Sequence, residues 1–280
     1  MPGSRTGEGT VTVPLPGGLI VGDHRLGHAE LRPLTGHEEE WLARHRGASS
    51  AVAVTRILEA CLVGIGDADV PGDLARRLLV GDRDYLMFAL RRVTLGDSFQ
   101  GVLACPLCAA PMDISFGAED VPVEPRPQTA ASYTLELGSA EGSLRTVRFR
   151  LPTGGDQEAV LDMDHGAAVE ALLERCIVDD GGAPLAIGER EAVVTAMDRL
   201  APQVDIELDL TCPVCGDAFL MPFDVTAFFF HEMGINGAQL LREIHSLALA
   251  YHWSEADILS LGRDRRRAYL GLLRETLHGS

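Results

Sequence analysis

The chain of 280 residues contains no lysine: all 24 basic residues are arginine, against 41 acidic residues, and the formal net charge is −17. Such reliance on arginine, with abundant alanine and glycine, is typical of mutational bias in a GC-rich genome. Nucleic-acid binders need a basic face to displace counterions from phosphates, so the acidity argues against a DNA or RNA partner. The basic run at Arg263 and 265–267 is typical of a solvated helix start or a protein-docking face.

Long hydrophobic runs are also missing. No stretch of about 18 apolar residues occurs, so we expect no membrane span. Residues 1–15 lack the basic start and apolar centre of a signal peptide. We therefore expect a cytoplasmic chain with reduced cysteines, and in that setting paired cysteines indicate metal binding. Aromatic residues are only 5% of the chain, which predicts cores of Leu, Val and Ala.

Signatures of catalysis are few. Neither G-x-S-x-G nor a P-loop occurs, and His231-Glu232 is half of a zinc-protease H-E-x-x-H motif whose second histidine is replaced by Ile235. Acidic residues at helix starts are explained by the helix dipole. We expect no enzymatic activity, no catalytic residue and no small-molecule substrate.

The strongest chemical signal is a pair of cysteine motifs, C-P-L-C at 105–108 and C-P-V-C at 212–215. Each lies between strand-like segments, and a gap of two residues lets both thiolates of a motif face one ion. Two such motifs supply the four ligands of tetrahedral structural zinc, and Gly216 suits the tight turn of a knuckle. Two independent sites and a redox dithiol stay open, although a thioredoxin-type C-x-x-C opens a helix. The predicted ligands of one shared structural zinc are Cys105, Cys108, Cys212 and Cys215.

Apolar periodicity predicts helices at about 49–65 and 156–180. Each contains one of the other two cysteines, Cys61 or Cys176, at an equivalent position. We interpret these two as small buried hydrophobic residues.

The chain also repeats itself. Thr-Gly pairs at 35–36 and 153–154 each begin a helical segment, and the sequences GDRD at 81–84 and GERE at 188–191 each begin a later helix. A cysteine motif follows in both halves, and from the later helix to the cysteines the offset between the halves is constant at about 107 positions. The recurrence predicts two copies of one helix-helix-knuckle unit.

We therefore predict an α+β fold of internally duplicated helical lobes, joined by a two-knuckle zinc ribbon and followed by a C-terminal helical subdomain. The expected boundaries are a flexible N-terminal arm at 1–30, a first repeat at 31–121, a linker at 122–132, a second repeat at 133–226 and the C-terminal helical subdomain at 227–280.

Three places in the chain carry a family resemblance. They are LRPLTGHEE at 31–39, GDRDYL at 81–86 through the first cysteine motif, and the C-terminal pattern EIHSLA, YHWSEADIL and RRRAYL at 243–248, 251–259 and 265–270. In these places the chain resembles the T-even-phage-like baseplate proteins of contractile phage tails and related contractile injection systems. The resemblance implies a part in building or bracing the baseplate or hub of a phage tail-like particle, with other baseplate, hub or tube proteins as partners. Family members vary in their cysteine pairs, so the zinc prediction depends on the spacing in this chain.

Two other functions stay open. An assembly chaperone, absent from the mature particle, would bind one client tightly without sheath or tube. A zinc-ribbon nucleic-acid adaptor would bind DNA or RNA through the basic run at 263–267 in a salt-sensitive way, and the acidity of the chain argues against it.

Overall fold

The computed structural model describes residues 9–45, 50–66, 73–121, 130–138, 144–202, 207–235 and 237–278. These residues form ten strands, eleven α-helices and one short 3-10 helix (Ala118–Asp120), which confirms the predicted α+β class. The strands are β1 (Val11–Val21), β2 (His24–Leu31), β3 (Leu62–Ile65), β4 (Ser98–Ala104), β5 (Pro111–Gly117), β6 (Tyr133–Gly138), β7 (Leu144–Phe149), β8 (Ile177–Asp179), β9 (Glu207–Thr211) and β10 (Ala218–Pro222). The helices are α1 (Gly36–Arg44), α2 (Ser50–Cys61), α3 (Leu74–Arg77), α4 (Val80–Leu95), α5 (Gly154–Ala159), α6 (His165–Cys176), α7 (Ile187–Leu200), α8 (Val225–Ile235), α9 (Gly237–Tyr251), α10 (Glu255–Leu259) and α11 (Arg263–His278).

Two stretches of the chain have the same order of elements. Two paired strands are followed by two helices, a third strand that pairs with the second, a further helix and a final hairpin. This order runs from β1 to β5 and again from β6 to β10; the short helix α3 is additional in the first. All pairings in these sheets are antiparallel. We call these segments the first and the second stretch.

The predicted long helices at about 49–65 and 156–180 are shorter in the structure. The first ends at Cys61 and continues as β3, and the second is divided into α5 and α6, ends at Cys176 and continues as β8. β3 pairs with β2, and β8 pairs with β7. A short apolar segment becomes a strand when a neighbouring strand offers its edge, and this edge is not visible in local periodicity.

Within the segment 1–30, expected to be a flexible arm, the described residues from β1 and β2 form a hairpin that packs on α4. Leu15 and Leu19 are buried in the same core as α2 and α4. The hairpin is irregular between Pro14 and Leu19, and there the amide of Gly17 donates a hydrogen bond to Asp82 Oδ1 (2.7 Å). Pro14, Pro16, Gly17 and Gly18 lie in this irregular segment, which is anchored on α4 through Asp82.

Several apolar cores hold the elements together. The largest packs α2 and α4 against the sheet of β1–β3, and Phe229 and Met233 of α8 close it. A second, aromatic core joins Phe99 of β4 to Phe223, which follows β10. The core of the second stretch is smaller, and its buried members are Leu137, Val147, Phe149, Leu173 and Val193.

Helices α9, α10 and α11 form a C-terminal group around Leu247 and Ile258. Among the described residues, no helix combines the length and the apolar character needed to cross a membrane.

Helix α1 begins with a strongly bonded turn. Thr35 caps the helix and forms a capping box with Glu38, the third residue of the helix. Arg32 donates two hydrogen bonds to the carboxylate of Glu38, at 3.1 and 2.9 Å. Burial favours a higher pKa for Glu38, but the hydrogen bonds from Arg32 and Thr35 outweigh it and lower the pKa to about 2.

Helix α5 begins in the same way. Thr153 caps it and forms a capping box with Asp156. Arg150 donates two hydrogen bonds to the carboxylate of Asp156, at 2.6 and 2.9 Å. We call residues 32–38 and 150–156 the helix heads; both have the sequence R-x-x-T-G-x-[DE].

The helix head of α5 pairs with the start of α4. Thr153 forms an isolated antiparallel bridge with Leu79, the residue before α4. The amide of Gly154 donates to the carbonyl of Leu78 (3.0 Å), and the amide of Val80 donates to the carbonyl of Pro152 (3.2 Å). The second stretch is thereby attached to the first.

The helix head of α1 pairs with the start of α11. Thr35 forms the corresponding bridge with Gly262, the residue before α11. The amide of Gly36 donates to the carbonyl of Leu261 (3.3 Å). The N-terminal and C-terminal parts of the chain are thus joined by the same contact.

A fully buried arginine lies beneath each of these contacts, four residues after the bridged one. Arg83 donates to Thr55 Oγ1 (2.9 Å) and to the carbonyls of Ala75 (2.9 Å) and Ala51 (2.7 Å). These three acceptors hold its guanidinium in place against the start of α5.

The second buried arginine corrects the prediction for the basic run at 263–267. Arg266, expected to be solvated or at a docking face, is fully buried. It bonds Glu39 (2.8 Å) and Glu243 (3.1 Å), and the carbonyl of Leu261 (2.8 Å). Two carboxylates from other helices compensate its charge, which makes burial tolerable.

The close approach of α4 and α5 predicts that a side chain at position 154 would destabilise the protein. A Cβ atom there would lie 1.7 Å from Arg83 Nη1, whereas one at Gly155 meets its nearest neighbour at 3.5 Å. We expect Gly154→Ala to lower the free energy of unfolding by about 1–3 kcal/mol through overpacking. The matched change Gly155→Ala should be neutral or stabilising by up to about 1 kcal/mol, because alanine favours a helix. Urea denaturation measures both; equal midpoints would contradict the tight contact.

Candidate metal centre

The first cysteine motif forms the turn between β4 and β5. The amide of Ala109 donates to the carbonyl of Cys105 (2.9 Å), and the amide of Cys105 donates to the carbonyl of Ala110 (2.9 Å). These two bonds close a compact knuckle at the end of the hairpin.

The second motif forms the same turn between β9 and β10. The amide of Gly216 donates to the carbonyl of Cys212 (2.9 Å), and the amide of Cys212 donates to the carbonyl of Asp217 (2.9 Å). Gly216 has φ +80°, as expected of the glycine of a knuckle, and the equivalent Ala109 has φ +59°. The two turns therefore have one backbone design, although only the second has the glycine that suits it.

The structure brings all four predicted cysteines together. Their Sγ atoms lie within 4.8 Å of one another, an arrangement that could hold a metal ion. Two of these distances join one knuckle to the other: Cys105 Sγ lies 3.8 Å from Cys215 Sγ, and Cys108 Sγ lies 3.6 Å from Cys212 Sγ. Within the described part of the chain, these residues are the one group of histidines, cysteines or carboxylates placed in this way.

The centre has a buried side and an exposed side. Cys105 and Cys212, the first cysteine of each motif, are buried, and Cys108 and Cys215 are exposed. Only a small apolar cluster surrounds the buried pair; its other members are Met112, Ala110, Leu210 and Phe219. Apolar packing alone thus contributes little to holding the two knuckles together.

The electrostatics of the cluster favour one thiolate, at Cys212, while the pKa values of Cys108 and Cys215 are raised. Hydrogen bonds from the amides of Cys215 and Val214, together with the neighbouring thiols, lower the pKa of Cys212 to about 6. One sulfur is thus prepared to bind a cation at neutral pH, and binding would displace the remaining thiol protons.

The other two cysteines are separate from this centre. Cys61 and Cys176 are buried at the ends of α2 and α6, as predicted. Burial raises the pKa of Cys61 to about 12 and that of Cys176 to about 11. They behave as small apolar residues of the packing.

The half motif His231-Glu232 lies in α8, and the carboxylate of Glu232 forms an ion pair with Arg91. Arg91 donates two hydrogen bonds to Glu232, at 3.1 and 3.0 Å, and its guanidinium lies 3.9 Å from the centre of the Phe99 ring. This contact ties α8 to α4.

The structural part played by the buried arginines was not predicted from the sequence. A signal was present, since Arg83 is the third residue of the recurring Gly-acid-Arg-acid pattern at helix starts. The pattern alone does not show which helix starts pack against each other, and this pairing decides whether the arginine is buried.

Comparison with known families identifies the class of the protein. Residues 22–164, just over half of the chain, match the family described as T4 bacteriophage base plate protein. The matched region contains both helix heads, α4 and the first knuckle. The chain therefore belongs to the T4 bacteriophage base plate protein family, whose role is structural or in assembly within the phage particle. No curated protein and no solved structure matches the chain.

The shared knuckle geometry generates a reciprocal prediction. An L-residue in the left-handed region is disfavoured by roughly 1–2 kcal/mol. Gly216→Ala should therefore lower the free energy of unfolding by about 1 kcal/mol, since nothing within 4 Å opposes a Cβ there and the effect comes from the backbone alone. Ala109→Gly should be neutral or raise it by up to about 1 kcal/mol. Thermal and urea unfolding measure the sign of the change in the free energy of unfolding for both variants. A stabilising effect of Gly216→Ala would contradict the shared geometry.

Proposed function

We propose that this protein is a structural component of the baseplate or hub of a contractile phage tail-like particle. It acts through contacts with other particle proteins, and a structural zinc ion joins its two stretches. Family membership supports the baseplate role. The observation that carries the proposal is the convergence of four thiols from two distant knuckles.

The two stretches are proposed to be copies of one unit. Their common element order, the two matching helix heads and the two matching knuckles support this proposal. The first repeat then covers 11–121, since its hairpin belongs to it, and the second covers 133–226. The linker predicted at 122–132 falls largely outside the described residues. Within 227–280, predicted to be the C-terminal helical subdomain, α9–α11 pack together, whereas α8 packs into the core of the first stretch.

Zinc is the proposed ion because of the donor set and its spacing. Four thiolates at the corners of a tetrahedron, each about 2.3 Å from zinc, are about 3.8 Å apart. Two Sγ distances between the knuckles are 3.8 and 3.6 Å, and all four sulfurs lie within 4.8 Å of one another. The proposed ligands are Cys105, Cys108, Cys212 and Cys215, so each repeat contributes one knuckle to a zinc ribbon.

The role of such an ion is mechanical. Four thiolates leave no open position for a water molecule or a substrate, which fits a non-enzymatic protein. Structural zinc can contribute on the order of 10 kcal/mol to folding in small domains. The exposed tips of the knuckles, Leu107 and Val214, are apolar and suited to a protein contact.

The zinc proposal is tested by metal content. We expect elemental mass spectrometry to find one zinc per chain in the purified protein, and none in Cys105→Ser or Cys212→Ser, which should also fold poorly. Cys108→Ser and Cys215→Ser change exposed ligands and should lose the ion with a smaller effect on packing. The control Cys176→Ala removes a buried thiol outside the centre and should keep the zinc. Two zinc ions, or zinc retained after the loss of one motif, would refute a shared site.

The particle role is tested by composition. We expect particles purified from the producing cells to contain the chain at a copy number that is constant between preparations, measured by quantitative mass spectrometry. A chain that binds one client tightly in the cell but is missing from particles is an assembly chaperone. Salt-sensitive binding of the isolated chain to DNA or RNA would instead support a nucleic-acid adaptor. Either of these results would overturn the proposal.

A further inference from the structure

The start of α7 corresponds to the starts of α4 and α11. Ala186 precedes α7 as Leu79 precedes α4, and Arg190 follows four residues later, as Arg83 follows Leu79. Arg190 Nε donates to the carbonyl of Leu185 (3.1 Å). The corresponding bond in α11 joins Arg266 to Leu261, the residue before the bridge.

The partners of these arginines also correspond. Arg83 bonds Thr55 on α2, and Arg190 bonds Glu170 on α6. Thr55 lies six residues before Cys61 at the end of α2, and Glu170 lies six residues before the equivalent cysteine of α6. At this position the second stretch therefore has an arginine and a partner helix in the same arrangement as the first.

The two sites differ in what covers them. Helix α5, with its helix head, fills the site in the first stretch, where it packs against α2, α3 and α4. In the second stretch a groove of about 480 Å³ lies at this position. Residues lining the groove include Leu173, Ile177, Leu185 and Arg190. Their counterparts in the first stretch, all buried, are Leu58, Leu62, Leu78 and Arg83.

The start of α7 has a backbone amide at the position where the start of α4 bonds the helix head of α5. Ile187 is the first residue of α7, so the helix itself leaves its amide unbonded. The equivalent amide of Val80 donates to the residue before the capping threonine of a helix head. The side chain of Ile187 is 80% exposed, and among the described residues no segment forms a bridge with Ala186.

We propose that the groove beside α7 binds a helix head of a partner protein, with the sequence R-x-x-T-G-x-[DE]. Both helix heads of this chain are already paired, with α4 and α11. The glycine of the incoming head would donate to the carbonyl of Leu185, and the amide of Ile187 would donate to the residue before its threonine. The site extends the proposed contact function and rests on the correspondence of the stretches, not on zinc.

The charge of the groove favours a partner protein over a second copy of this chain as its occupant. In the first stretch, Glu158 of α5 is held by Arg76, which also pairs with Glu59. The groove beside α7 contains Glu174, Asp179 and Asp180, and its one basic residue is Arg190.

Position 183, three residues before Ala186, corresponds to Arg76 and is alanine. The helix heads of this chain are followed by Glu40 and Glu158, each four residues after the glycine of its head. In the groove, either glutamate would be repelled by the acidic residues that line it. The partner head therefore has Arg or Lys at that place.

The experiment uses the full chain and a synthetic peptide of residues 148–164 that carries Glu158→Arg. We expect saturable one-to-one binding by fluorescence anisotropy, and at low ionic strength binding about fivefold tighter than that of the unchanged peptide. Adding Gly154→Leu to the probe should abolish binding, because the corresponding Cβ in the first stretch would strike an arginine.

The protein variants isolate the backbone contact. Ile187→Pro removes only the docking amide, because proline is favoured at the first position of a helix and Ala186, with ψ 161°, tolerates a following proline. It should weaken binding about tenfold, whereas the matched Ile187→Ala, which keeps the amide, should change it little. Circular dichroism checks that both variants remain folded.

Three results would overturn the proposal. One is the absence of binding by the Glu158→Arg peptide up to about 1 mM. Another is equal affinity for Ile187→Pro and Ile187→Ala, which would place the peptide elsewhere. The third is equal binding of the unchanged peptide, which would make a second copy of this chain the occupant. None of these results depends on metal content or on a particle, so this inference and the proposed function can fail separately.

Discussion

The fold depends on pairs of helix starts that meet around a buried arginine. Two helix N-termini repel each other through their dipoles, and each carries amides that its helix leaves unbonded. Here the backbones of the two helix starts form hydrogen bonds with each other, such as the one from the amide of Gly154 to the carbonyl of Leu78. Carboxylates such as Glu38 and Asp156 also place negative charge in the first turn of a helix. One such contact attaches the second stretch to the first, and the other attaches the beginning of the chain to its end.

The two buried arginines are compensated differently. Arg266 bonds two carboxylates from different helices, so its removal would leave buried negative charge behind. Arg83 bonds a hydroxyl and two backbone carbonyls instead, and desolvation lowers its pKa. A guanidinium that must satisfy several fixed acceptors at once fits one arrangement of helices. Both arginines therefore specify which helix starts can meet, in addition to any stability they contribute.

Two separate contacts join the first stretch to the second: the cysteine centre between the knuckles and the contact at α5. The contact at α5 is made by backbone bonds and a buried arginine, while the knuckles meet through four sulfurs with little apolar packing around them. A metal ion bound there would supply the attraction that the packing lacks. The second stretch has a small core of its own, and these two links, together with the aromatic core around Phe99 and Phe223, determine its position.

Several features of this protein are determined by the sequence alone because they depend on neighbours in the chain. The capping boxes at Thr35 and Thr153, the spacing of the cysteines and the α+β class are of this kind, since a few consecutive residues contain all the partners involved. Only the tertiary structure decided the rest. Residues 62–65 form a strand because β2 offers its edge, Arg266 is buried because two distant glutamates surround it, and each helix head has a particular partner. These outcomes depend on contacts between residues far apart in the chain, and local periodicity and charge carry no information about such contacts.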